Sequence, residues 1–232
     1  MELSGLNGAA LQRHQRKSAN VEDFTIESIG GVNKLLLHDT YSAYCYPKSN
    51  PKQKFGVTMG LNYDTKQMFD GYTNLIMQDK YTKYAQGIAH PIWKDDAYVQ
   101  ANFAGVSISY DEKDITIDTY LTSGKRSHDS VILYVFLKSS GNSDTENNVK
   151  NILEYLNKLE YNKYFMLTVR TFIVDDKTFA NIDQLYSGIM KKFNSGSDYP
   201  FCIVNVSDGE VKETQAELVK QLKNGTKGDY FE

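Results

Sequence analysis

The stretch "VILYVFL", Val131 to Leu137, decides how the rest of the chain is read. It is an unbroken apolar run of β-branched, aromatic and leucine side chains, with no polar residue alternating through it. That is the pattern of a strand covered on both faces, typical of parallel sheets flanked by helices. Downstream, "TENNVKNILEYLNKLEY" places Val149, Ile152, Leu153, Leu156 and Leu159 on one helical stripe, which completes a βα unit. A second unit opens with "YFMLTVRTFIV" and continues through Phe179, Ile182, Leu185, Tyr186, Ile189 and Met190. A third opens with "FCIVNV" and continues through Val211, Leu218, Val219 and Leu222. The succession predicts a C-terminal three-unit βα sandwich over residues 130–225, with a mainly parallel sheet and right-handed crossovers. Two S-x-x-E capping boxes, Ser143 with Glu146 and Ser207 with Glu210, mark helix starts inside it.

Upstream the periodicity changes. "FTIESI", "KFGVTMGLNY", "VSISY" and "ITIDTYL" alternate apolar and polar residues, as half-buried strands do. One helix is expected among them, capped by Asp64 and beginning near Thr65, with Met68, Phe69, Tyr72, Leu75 and Ile76 at helical spacing. Gly71 within it implies close packing or a break, and Pro91 should hold His90 extended and end the segment. The resulting plan is α+β / α/β: an extended N-terminal arm over 1–20, a strand-rich domain with one helix over 21–129, the βα region over 130–225 and a tail over 226–232.

Composition narrows the classes of partner. The chain has 232 residues with a formal net charge of −3, which gives no footprint of nucleic-acid binding. No apolar run approaches the roughly 20 residues that cross a bilayer, and the N-terminal sequence lacks the pattern of a secretory signal, so a cytoplasmic location, or one within an assembled particle, is expected. Cys45 and Cys202 have no partners at metal or redox spacing and read as buried thiols; no cofactor or metal is expected. With 17 tyrosines against one tryptophan, the chain is rich in a side chain suited to contacts between subunits.

Two triplets carry the sharpest hint of chemistry: His38-Asp39-Thr40 and His128-Asp129-Ser130. On a strand, His38 shares a face with Thr40, and His128 with Ser130, so two facing pairs would supply acid, base and phosphate anchors. The pairing resembles the H-x-[ST] motifs of the two-histidine phosphoesterases, and the resemblance implies metal-independent cleavage of phosphodiester or cyclic phosphate bonds by His38, Thr40, His128 and Ser130. Asp39 and Asp129 occupy positions that this family keeps apolar, which ranks the reading second.

A further candidate is the loop Lys138 to Asp144, where Ser139, Ser140, Gly141 and Asn142 would offer amides to an anion at the carboxyl end of a strand. Asp175, Asp176 and Asp208 lie after the next two strands, on the same expected edge, where they could ligate magnesium; Asp176 and Asp208 also sit at helix starts, and the helix-start reading is preferred. Asp114 and Asp118 read as the exposed face of a strand with Thr116. The basic groups Arg13, Arg16, Lys17, Lys125 and Arg126 lack interleaved aromatics for base stacking, and His14 and His90 read as structural.

The leading expectation is therefore a non-catalytic structural or assembly protein that packs against copies of itself or other subunits, such as a viral connector or tail component, with the N-terminal arm as a contact suited to strand addition. The phosphodiesterase is the first alternative. A small-molecule or anion-binding module, predicting a concave pocket beside the Lys138–Asp144 loop, is the second.

Overall fold

The structure, a computed structural model, describes residues 24–29, 33–35, 38–47, 55–60, 68–70, 72–103, 114–122, 129–159, 165–182 and 199–224. The expected arm and tail, and the segment "VSISY", lie outside these. The chain divides into two compact units, Met1–Met77 with Ser107–Asp114, and Gln78–Val106 with Ile115–Glu232. The division falls earlier than the boundary expected at residue 129, because the segment after residue 77 already builds the second unit.

The first unit holds a five-stranded antiparallel sheet in the order β1-β3-β4-β5, with β2 also pairing β3. Its strands are β1 (Phe24–Ile29), β2 (Asn33–Leu35), β3 (His38–Pro47), β4 (Phe55–Gly60) and β5 (Met68–Asp70). Met68 and Phe69, expected on a helix, lie on β5, and helix α1 starts only at Tyr72 and runs to Trp93. Asp64, Thr65 and Gly71 lie outside the described residues.

Helix α1 also runs straight through Pro91, against the expectation that His90 would be extended. Burial overrides the local preference. Met77, Tyr81, Ala85, Ala89 and Trp93 recur every four residues and are all buried, so stopping the helix at His90 would forfeit the last of them. The indole of Trp93 meets the ring of Tyr155 edge-on at 5.3 Å.

The second unit is a mixed five-stranded sheet in the order β10-β9-β8-β7-β6. Its strands are β6 (Ala97–Asn102), β7 (Asp129–Lys138), β8 (Phe165–Val174), β9 (Phe201–Ser207) and β10 (Glu210–Val211). Only β7 and β8 run parallel; β6–β7, β8–β9 and β9–β10 are antiparallel, so the expectation of a mainly parallel sheet is corrected. The class is α+β. The reason is physical: "VILYVFL" is buried on both faces, with Val131, Leu133, Val135 and Leu137 on one and Tyr134 and Phe136 on the other. Such a strand is apolar throughout whichever way its neighbours run. The chain leaves β8 and re-enters β9 at the same end of the sheet, where Ile173 N–H donates to Pro200 C=O at 2.9 Å.

The other helices of this unit are α2 (Ile117–Thr122), α3 (Thr145–Lys158), α4 (Asp176–Phe179) and α5 (Gln215–Asn224). Helix α2 replaces the strand expected at "ITIDTYL". The Thr116 hydroxyl accepts from Thr119 N–H at 3.1 Å, and burial of the adjacent Tyr120 and Leu121 suits a helical turn. Asp118 accordingly lies in the first turn of α2 and Asp114 in the turn before it, both exposed, rather than on one strand face. Helix α3 lies in the connection between the parallel strands β7 and β8, and its buried stripe is Asn148, Val149, Ile152, Tyr155 and Leu156. On one face of the sheet, Tyr98, Phe136, Phe172 and Phe201 stand in one cross-strand row, the last three stacked at 5.5 and 5.4 Å.

Candidate functional site

The carboxyl ends of β7 and β8 are where an α/β sheet ordinarily receives a ligand. After Lys138 the chain makes a 3-10 turn, Ser139–Gly141, and enters α3. Asn142 is buried here: its side-chain amide donates to Lys138 C=O at 2.9 Å, and its backbone carbonyl accepts from Asn148 Nδ2 at 2.7 Å. The N-cap of α3 is Asp144, one residue beyond the expected Ser143. Its carboxylate accepts from Glu146 N–H at 2.9 Å and Asn147 N–H at 3.3 Å.

The end of β8 is built the same way. Asp175 caps α4, accepting from Thr178 N–H at 2.9 Å, the Thr178 hydroxyl at 2.8 Å and the Tyr199 hydroxyl at 2.7 Å. These bonds, the Thr178 amide first, hold its carboxyl down to about 2. Asp176 reaches back to the loop, accepting from Ser140 N–H at 3.4 Å, with Lys138 Nζ at 4.0 Å. Asp96 lies over Gly141, where an added Cβ would stand 2.5 Å from Asp96 Oδ2.

Thus Ser140, Asn142 and Gly141 of the expected anion loop face the chain's own carboxylates and carbonyls. An incoming anion would meet Asp96 and Asp176 there. Among the described residues no group of three or more His, Cys, Asp or Glu side chains is placed to hold a metal ion.

Beside this loop, at the same end of the sheet, lies an open cleft of about 330 Å³. Exposed His90, Lys94 and Asp95 line it together with the more buried Tyr98, Phe179 and Ile182. His90 Nε2 is 3.7 Å from Asp95 Oδ1. Lys94, between them, has φ of 55°, a left-handed conformation that a lysine adopts only where its surroundings impose it. None of residues 138–144 lines this cleft; α1, the turn after it, β6 and the end of α4 form its walls.

His38 and Thr40 lie on β3 of the first unit, with Leu35 and Asn33 as their cross-strand neighbours. Ser130 lies on β7 of the second unit, half-buried and paired with Met166 of β8, while His128 lies outside the described residues. The two triplets thus fall in different units.

No protein-family model matches the chain, and no curated protein matches it. A solved structure does. A DUF5037 family protein from Ruminococcus gnavus superposes with a TM-score of 0.51 over 93% of this chain and 99% of that one, at 14% identity. At that identity the likeness is one of fold.

Sequence reasoning missed several polar residues of the second unit. Ser207 and Glu210, expected as a capping box, instead flank a β9–β10 hairpin turn in which Asp208 and Gly209 have φ of 55° and 76°. The Asp-Gly pair between two apolar runs is a hairpin signal that was present to be read. The capping box that does form is Thr214 with Glu217: Thr214 N–H donates to Glu217 Oε2 at 2.7 Å, and Glu217 N–H to Thr214 Oγ1 at 3.3 Å. Gln86, Thr82 and Gln221, which bond the outer strands of the sheet, carried no motif at all.

Proposed function

We propose that this chain is a non-catalytic assembly protein, packing against copies of itself or other subunits. The observation that carries the reading is the construction of the carboxyl end of β7 and β8, where Asp144 and Asp175 act as helix caps and Asp176 and Asn142 tie the loop together. A catalytic site at this place needs polar groups poised toward a substrate; here they stabilise helix starts and turns. The neighbouring cleft offers a partner an apolar floor with charged residues around it, in the manner of a contact surface. Met166, exposed on β8, adds apolar area on the same sheet.

Sedimentation velocity of the full chain over a range of concentrations tests this. A stable species at a multiple of the single-chain mass is expected. A monomer at every concentration overturns the proposal. If that monomer hydrolyses bis(p-nitrophenyl) phosphate and His38→Ala abolishes the activity, the phosphodiesterase reading takes its place.

A further inference from the structure

The outward edge of β6 is occupied by side chains of α1. The carboxamide of Gln86 donates from Nε2 to Ala97 C=O at 3.1 Å and accepts at Oε1 from Val99 N–H at 2.7 Å. A primary amide offers the same donor and acceptor as a peptide group, so Gln86 reproduces the pair of bonds that an added strand would make. One helical turn earlier, the Thr82 hydroxyl accepts from Ala101 N–H at 2.9 Å, and Gln100 Nε2 donates to Ala101 C=O at 3.2 Å. The helix comes this close because the side chains at these positions, Ala97, Val99 and Ala101, are small and buried.

The far edge is treated alike. On β9, Ile203 N–H donates to Gln221 Oε1 at 2.7 Å and Asn205 N–H to Glu213 Oε2 at 2.8 Å, while Asn205 C=O accepts from Lys212 N–H at 3.0 Å. An unpaired strand edge is a template for another chain, and proteins commonly guard it with a charge or a proline. The β6 sequence "AYVQAN" has neither. Its protection rests on the α1 side chains.

We propose that Gln86 and Thr82 close a strand-addition edge on β6, and that the occupant they exclude is the same edge of a second copy of this chain. Antiparallel pairing of β6 with itself is two-fold symmetric: each copy presents the same alternating N–H and C=O groups at residues 97, 99 and 101, and no charge on either strand opposes it. Contacts that the intact chain makes in an assembly therefore use surfaces other than the edges of this sheet.

The test compares wild type with the double variant Thr82→Val, Gln86→Leu by sedimentation velocity and by amide hydrogen exchange at Val99 and Ala101. Both proteins are measured at matched concentrations, so any assembly of the wild type cancels. In dilute wild type both amides exchange slowly; in the dilute variant they exchange at least about tenfold faster. On concentrating the variant, a species of twice the wild-type mass forms and protection at both amides returns. A variant whose mass tracks wild type at every concentration overturns the proposal, as does association that leaves Val99 and Ala101 exchanging fast. Should the double variant lack the wild-type circular dichroism spectrum, Thr82→Val alone is read. Faster exchange at Ala101 with Val99 unchanged, and concentration-dependent recovery at Ala101, support the proposal; slow exchange at Ala101 in dilute solution overturns it.

Discussion

Cys202 is fully buried on β9, and desolvation pushes its thiol up to about 12. Since the thiolate is the reactive form, this cysteine is inert in the native protein. In a Cys45→Ser background, Ellman's reagent at about pH 8 should release no thiol colour until denaturant is added; prompt labelling would contradict the burial. Asp175 titrates in the opposite sense. Its folded carboxyl sits at about 2, below the unfolded value of about 3.9. Its contribution to stability is therefore present above about pH 4 and is lost as pH falls through about 2. The carboxylate is exposed and solvent screens it, so the effect is modest. Asp175→Asn should lower the urea midpoint at about pH 6, with the gap from wild type narrowing below about pH 4; a gap that stays constant would show that Asp175 acts by shape alone.

At the scale of elements, the start of α3 separates what sequence pattern conveys from what it does not. The stripe Val149, Ile152, Leu156 was legible because a helix face repeats every three or four residues. The cap was misplaced by one residue because Ser143 and Asp144 are both good caps, and only the backbone path settles which one turns its oxygen inward. Asp144→Ala should cost about 1 kcal/mol in a urea titration and Ser143→Ala close to nothing; equal losses would restore the serine box. Pro91 shows the same limit. It is a strong local signal, yet the helix runs through it, because the buried Trp93 lies on its far side.

At the scale of the whole chain, the positions of β7, β8 and β9 were legible and their directions were not. "VILYVFL" announces burial on both faces, and every strand of the second unit from β7 to β9 falls where the apolar runs lie. Direction depends on the route of the connections, and apolar periodicity carries no record of that. The same gap hid β6, which lies far upstream of the βα pattern yet pairs along its whole length with β7. It also hid the cleft, since residues 86–98 and 179–182 become neighbours only once the sheet is assembled. Trp93, the sole tryptophan of the chain, lies at the end of the helix that guards β6, with its ring against Tyr155. The molecule consequently contains a built-in optical gauge: fluorescence from that indole should be blue-shifted while the helix is seated, and should redden as soon as its last turns lift into water.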